Sequence, residues 1–367
     1  MEKVDCVVVG AGVVGLAVAR ALAQRGREII ILEATGSIGS ETSSRNNEVI
    51  HAGFLYPKGS LKARLCRPGR DMLYRYCAER GIANRRIGKL VIATNDDETR
   101  LLDRIGAAAR DHGVDDVACL DGPSVRRVEP AITCLGALHS PSTGILDAHA
   151  LMLSLLGDAE AAGAVIAYNT RVAGGAVRDG SIDIRTEGGT SGGYAFSCRT
   201  LVNAAGLGAR DIALVYAAEA GAVSPVYYAK GNFFAFGGRL PFRHVIAPLG
   251  STLEMGGAFT LDIGGQGKFG PDVEWVDAVD YRVDAARATR FEAAIRRYYP
   301  DLPRDALRPG YSGIRPRPSM SAVTDWLIVG PRDHGQHGLF HLLGFDTPGL
   351  TACLAIGEHV ADMVGSA

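Results

Sequence analysis

Apolar positions open the chain as a run from Val4 to Val9, broken only by Asp5, and give way to Gly10-Ala11-Gly12-Val13-Val14-Gly15. They resume through Gln24 and return as Ile29-Ile30-Ile31-Leu32 just before Glu33. This order predicts a buried strand, a glycine turn, a helix continuing over 16–24, a second strand and an acidic tip. Each glycine has its own physical task in such a unit. Gly10 makes the tight turn, Gly12 lets the backbone approach a pyrophosphate, and Gly15 lets the helix pack closely on the strand. The helix start, with Val13 and Val14, offers unpaired N–H groups to phosphates, and Glu33, with Ala34 beside it, stands where a carboxylate accepts hydrogen bonds from a ribose. A glycine motif alone is a weak signal; in this context it predicts a dinucleotide site.

The change from apolar strand to small residues recurs twice more. Thr200-Leu201-Val202-Asn203 runs into Ala204-Ala205-Gly206-Leu207-Gly208 and then a helical stretch through Arg210 and Ala213. Before it, 151–162 read as an amphipathic helix, and 164–168 followed by Arg171-Val172 as strand. Near the end, 326–330 and 339–344 read as strands, followed by Phe345-Asp346-Thr347-Pro348-Gly349 and a helix over 350–364. Three separated segments that bring backbone to one ligand predict a discontinuous nucleotide domain made of 1–81, 141–220 and 309–367. The intervening 82–140 and 221–308 predict a second, α+β domain for substrate on a mainly antiparallel sheet. The expected fold class is therefore α/β, a Rossmann-like domain with a substrate domain inserted into it.

Composition narrows the class. With 367 residues and 47% hydrophobic content, the chain is long enough for two intimately packed domains, and no segment is low in complexity. A net charge of -1 with scattered basic residues supplies no field for nucleic acid, which is excluded as a main partner. The N-terminal apolar stretch contains Asp5 and three glycines and soon reaches Arg20, so it reads as the first strand and helix rather than a signal peptide or anchor. No transmembrane segment is expected, and peripheral membrane contact stays open. Seven cysteines at unrelated spacings, without a CxxC pair, argue against a disulfide framework and a zinc site. A reducing compartment, the cytoplasm, is the expected location.

Several residues carry candidate chemistry. Thr42, Ser43, Ser44, Arg45, Asn46 and Asn47 offer hydroxyl, guanidinium and amide donors directly after the dinucleotide site, although the same types make an ordinary polar surface loop. His51 follows the apolar pair Val49-Ile50, which would bury its ring; a lone buried histidine is more often a satisfied core residue than a base. In Ser312-Gly313-Ile314-Arg315-Pro316 the guanidinium fork matches a carboxylate bidentately and the proline stiffens the backbone that aims it. A structural ion pair is the alternative for Arg315. In Pro225-Val226-Tyr227-Tyr228-Ala229-Lys230-Gly231-Asn232-Phe233-Phe234, Tyr228 and Lys230 bring a phenol and a cation, while the two phenylalanines suit a core as well as a pocket.

These segments, in this order, resemble the D-amino acid oxidase family of FAD enzymes, which includes glycine oxidase, sarcosine oxidase and L-2-hydroxyglutarate dehydrogenase. Within it, the stretch from Thr42 through His51-Ala52-Gly53-Phe54-Leu55-Tyr56-Pro57 to Gly59-Ser60-Leu61-Lys62-Ala63-Arg64-Leu65-Cys66 is similar to the signature of the L-2-hydroxyglutarate dehydrogenases, where Ser/Arg-Asn-Ser-Gly-Val-Ile-His-Ala-Gly runs on into Ser-Leu-Lys-Ala. Asn47 stands where that pattern has Ser, and Glu48 where it has Gly. The resemblance implies FAD as cofactor, held by the glycine turn, Glu33, the 42–47 loop, Ile50, Arg171, Val172, the segment Ala204-Ala205-Gly206-Leu207 and the segment from Phe345 through Asp346, Thr347, Pro348 and Gly349 to Leu350. It implies a small carboxylic acid substrate, oxidised at C2 by hydride transfer to flavin N5, with Arg315 on the carboxylate. His51 would be the base or a covalent tether for the flavin, and Tyr228 and Lys230 would sit on the strand roofing the flavin. The final helix would point its N-terminus at the flavin. An amine or amino acid oxidase on the same scaffold is the competing expectation, followed by a non-catalytic or RNA-modification flavoprotein. The electron acceptor, whether oxygen, a quinone or an electron-transfer protein, is left open.

Overall fold

The computed structural model describes residues 2–189, 192–217, 223–321 and 323–366. Its first sheet is built around strand Lys3–Val9, which pairs in parallel with Ile29–Leu32 on one side and Ala195–Asn203 on the other. Val165–Ala167 extends the sheet beyond Ile29–Leu32, also in parallel. The first part of Ala195–Asn203 pairs with the antiparallel hairpin Thr170–Arg178 and Ser181–Gly188, and its last residues pair in parallel with Leu339–Leu343. Leu327–Val329 lies antiparallel on the outer side of Leu339–Leu343. The registers Val9↔Leu32, Val9↔Asn203 and Asn203↔His341 bring the carboxyl ends of these strands to one edge. That is the edge at which open α/β sheets bind ligands.

Both faces of the central strand are covered, which is why its apolar run is nearly continuous rather than alternating. Cys6 and Val8 pack with helices Val13–Gln24, Ala148–Ala161 and Gly349–Gly365; Val7 and Val9 pack with Val172, Ile184 and helix Ala209–Tyr216. The glycine helix starts at Val13, ahead of the expected 16, with Gly12 as its N-cap. The final helix lies so close to it that a Cβ on Gly357 would stand 2.5 Å from the Ala17 carbonyl oxygen.

The second sheet runs Glu274–Val276, Tyr227–Phe236, Gly267–Phe269, Phe259–Leu261, Val245–Pro248, Lys89–Ala93, Gly136–Ser140, Ala118–Asp121. Its neighbours are antiparallel, apart from Val245–Pro248 beside Lys89–Ala93. Phe234, Phe242, Phe259, Phe269, Phe291 and Tyr298 fill its core, with helix Ala288–Arg296 against them. Leu307–Arg317 pairs along Tyr227–Phe236, from Leu307↔Phe236 to Arg317↔Tyr227. The expected boundary at 309 thus cuts a strand, and 309–317 lie in the second sheet. Both the strand over 307–317 and its partner edge come from the ladder.

Candidate active site

The glycine turn is fixed by sterics. Gly10 has φ +100, and a Cβ there would meet the Ala204 carbonyl oxygen at 2.7 Å. A Cβ on Gly15 would stand 2.0 Å from the Gly10 carbonyl oxygen, so its hydrogen is what lets the helix rest on the turn. At Gly12 the Cβ would meet the Ser43 hydroxyl at 2.9 Å, and that hydroxyl accepts the Val13 N–H at 3.0 Å. The bare backbone at Gly12 therefore admits the 42–47 loop to the helix N-terminus. Glu33 accepts from the Ala11 N–H at 2.8 Å and, on its other oxygen, from the Thr35 N–H at 2.9 Å and hydroxyl at 2.7 Å. A carboxylate offers about four acceptor positions. Glu33 retains one such position.

From this turn a cavity of about 1850 Å³ runs to Arg315. Ordinary small-molecule sites hold roughly 300–1,000 Å³, so this one has room for a dinucleotide and a substrate together. Its wall includes Gly10, Gly12, Val13, Val14, Glu33 and Ala34, the 42–47 loop apart from Ser44, Arg171, Val172, 204–207 and 345–350.

Four expected residues are not on that wall. Gly15 acts through packing, as above. Ser44 is exposed, and its hydroxyl donates to the Glu41 carbonyl at 3.3 Å, because the short 3-10 turn Thr42–Ser44 rotates it outward. Ile50 is wholly buried and pairs with Gly144 in a small sheet. Lys230 does not reach the wall, because its Nζ donates to the Arg282 carbonyl at 2.5 Å, while Gly231 and Phe233 on the same strand line the cavity. Tyr228 does line the cavity, in the field of Asp211 and Arg210, and no hydrogen bond joins it to His51 or Arg315 among the described residues.

Arg315 and His51 both face the cavity. The Arg315 guanidinium lies flat over the strand at Gly231, where a Cβ would stand 3.0 and 3.1 Å from Nη2 and Nη1. It makes no ion pair and no hydrogen bond among the described residues. The acids whose field it feels are engaged elsewhere: Asp346 with Lys62 Nζ at 2.6 Å and Arg317 Nε at 3.6 Å, and Asp272 with Arg287. Burial works against the Arg315 charge, with the field of Arg317 adding to it, so an anion from solution is what this position favours.

His51 is held by its backbone N–H, which donates to the Thr351 hydroxyl at 3.0 Å. Burial, and then the charge of Lys89, push its pKa well below the usual value, so the ring is neutral. Lys89 Nζ lies 3.4 Å from His51 Nδ1 and is itself pushed down to about 8 by burial. The final helix directs its first turn at the same cavity through Thr347, Pro348, Gly349, Leu350 and Thr351. A helix N-terminus carries a partial positive charge.

Sequence reasoning missed Lys62, Lys89 and Gly231. Lys62 stands inside the Gly59-to-Cys66 stretch, and Lys89 heads the apolar strand Lys89–Ala93, where a lone cation before a fully buried run is itself a signal. Gly231 carries no signal without Arg315 above it.

The profile of FAD dependent oxidoreductases matches residues 5–363. The chain belongs to this family. It is 40% identical over 402 aligned residues to the L-2-hydroxyglutarate dehydrogenase, mitochondrial, of Arabidopsis thaliana, covering 98% of this chain and 83% of that protein. The fold is similar to that of L-alpha-glycerophosphate oxidase from Mycoplasma pneumoniae, with TM-score 0.88 at 21% identity over 100% of this chain and 95% of that one. It is likewise similar to glycine oxidase from Geobacillus kaustophilus, with TM-score 0.82 at 23% identity over 100% and 95%. FAD is the cofactor of this oxidoreductase, and the residues present fit it. The glycine cradle leaves no room for a Cβ, Glu33 keeps an acceptor position, and Arg45 stacks on Tyr281 at 3.9 Å with its buried Nε unused by protein acceptors. All seven cysteines of the oxidoreductase are free, and no helix among the described residues is long and apolar enough to cross a membrane.

Proposed function

We propose that this chain oxidises a short 2-hydroxy dicarboxylic acid of the L-2-hydroxyglutarate type to its 2-oxo acid. The observation that carries the reading is Arg315, a guanidinium with no acidic partner among the described residues, lining the same cavity as a neutral histidine. The Arabidopsis relative is named for this substrate. FAD, when bound, supplies the acceptor for the C2 hydride. Arg315 binds the C1 carboxylate through its fork of donors and so orients C2. His51, neutral at working pH, takes the hydroxyl proton. The first turn of the final helix favours negative charge beside residues 347–351. Glycine turn, 42–47 loop, Arg171, Val172, 204–207 and 345–350 hold the cofactor, without Ser44 or Ile50, and Lys230 is dropped from the catalytic set. Free cysteines support a reducing compartment, and we retain the cytoplasm as our reading of location, although the Arabidopsis relative is named mitochondrial.

The test is flavin bleaching without oxygen. L-2-hydroxyglutarate should reduce the flavin while glycine, sarcosine and D-amino acids leave it oxidised, and His51→Ala should slow the reduction about a hundredfold. Reduction by an amine with hydroxy acids inert establishes the amine oxidase reading instead. Flavin that stays attached through His51 after denaturation reassigns that residue as a tether.

A further inference from the structure

Lys89 is buried on the second sheet, between Ser140 and Val245 on the neighbouring strands, and no carboxylate is bonded to it among the described residues. The charged and titratable groups that face it and His51 are few. Cys66, on helix Leu61–Arg80, is a thiol pushed up to about 12 by burial; Tyr56 packs edge-on to His51 with ring centres 6.4 Å apart and is a phenol pushed up by burial. Both stay neutral at working pH. Thr351 contributes only a hydroxyl, and Asp346 is held by Lys62. Lys89 and His51 therefore titrate against each other at the cavity wall, with Nδ1 and Nζ 3.4 Å apart and Nε2 bonded to no described residue.

The protonation of Lys89 then decides what His51 can do. An ammonium at Lys89 donates to the Nδ1 lone pair, which leaves the single ring proton on Nε2 and makes that nitrogen a donor. A neutral amine accepts from Nδ1–H, which leaves Nε2 bare and able to accept. Placing a second proton on the ring beside an ammonium would set two cations 3.4 Å apart in a buried site.

We infer that Lys89 is a positioning residue and the terminal proton acceptor behind His51, setting its tautomer and receiving its Nδ1 proton when Nε2 takes the proton of the substrate hydroxyl. The inference rests on the 2-hydroxy acid reading for its substrate. As the O–H bond breaks, its proton bonds to Nε2 and the Nδ1 proton passes to Nζ. The C2 hydrogen leaves with its electron pair, for which the flavin is the acceptor, and the C–O bond becomes a carbonyl. Lys89 ends the step as an ammonium and returns its proton to solvent before the next.

Two measurements on the holoenzyme test this. In the first, ¹⁵N NMR of labelled histidine, assigned by difference with His51→Asn, follows the ring from about pH 7 to 9.5. In the wild type the His51 proton moves from Nε2 to Nδ1 with a midpoint at about 8. In Lys89→Arg, whose guanidinium cannot deprotonate, it stays on Nε2 throughout. In the second, anaerobic flavin reduction by L-2-hydroxyglutarate rises up to the same midpoint in the wild type. Lys89→Arg lacks the rise and is about a hundredfold slower at pH 9, and Lys89→Met is slow with a flat profile. A Lys89→Arg enzyme with the wild-type rate and profile overturns the inference, because a cation would then suffice. A wild-type tautomer that does not change over this range also overturns it. Failure of the acid to reduce wild-type flavin counts against the substrate reading, and the NMR measurement still decides the pair.

Discussion

Replacing Gly231 with alanine tests whether Arg315 is seated for a substrate. The new methyl would stand 3.0 Å from Nη2, 3.1 Å from Nη1 and 2.7 Å from the Pro271 Cβ. Heavy atoms in favourable contact lie about 3.5–4.0 Å apart, so the guanidinium must retreat by roughly 0.5–1 Å, and Pro271 is a stiff ring that does not make way. A misplacement of about 1 Å can cost a hundredfold in rate. We therefore expect kcat/KM to fall about ten- to a hundredfold, which is about 1.4–2.7 kcal/mol of transition-state stabilisation. Stopped-flow reduction of the flavin under anaerobic conditions, at varied L-2-hydroxyglutarate concentration, reads this as a weaker substrate Kd with unchanged FAD content and spectrum. If the glycine acts only through Arg315, adding Gly231→Ala to an Arg315→Ala enzyme costs less than about 0.5 kcal/mol further. An alanine enzyme within twofold of wild type, or an equal loss with and without Arg315, refutes the reasoning.

Arg315→Lys keeps the charge but loses the fork, and should cost about 2–4 kcal/mol in kcat/KM with flavin binding unchanged; normal turnover would make Arg315 structural. Gly12→Val drives side-chain atoms into the Ser43 hydroxyl, which a Cβ alone already meets at 2.9 Å, and should yield protein that purifies without its 450 nm flavin absorbance; full flavin content would refute the cradle. Lys89 sits at about 8 in the folded chain against 10.5 when free, so between those values the unfolded chain binds the extra proton and stability rises with pH. Below about pH 8 its burial as a cation costs on the order of 3 kcal/mol. Lys89→Met should then stabilise the holoenzyme to denaturant at pH 7 by up to that amount and flatten the rise towards pH 10, an outcome absent if Lys89 is solvated.

The chain's first thirty-four residues determine a dinucleotide site by themselves, because Gly10, Gly12, Gly15 and Glu33 act through local sterics and a strand, turn and helix that are contiguous in sequence. Periodicity likewise marks the strands before Ala204 and Phe345 and the final helix, since their burial pattern is written in neighbouring residues. Arg315 stands out as a candidate by its residue type and the proline after it. What only the tertiary structure decides are relations between distant segments. Pairing of 307–317 with 227–236 lays Arg315 on Gly231, and the Arg282 carbonyl, fifty-two positions away along the chain, engages Lys230. Lys89 stands out in sequence only as a lone cation before a buried run, and nothing local tells that the sheet carries it to His51, thirty-eight positions away along the chain. Glu48, where the dehydrogenase pattern has glycine, adopts φ 58, so the backbone there keeps the left-handed turn that glycine favours even though the side chain does not announce it. Local sterics and amphipathic period are properties of a segment, whereas the meeting of Arg315 with Gly231 and of Lys89 with His51 depends on which edges and faces come together.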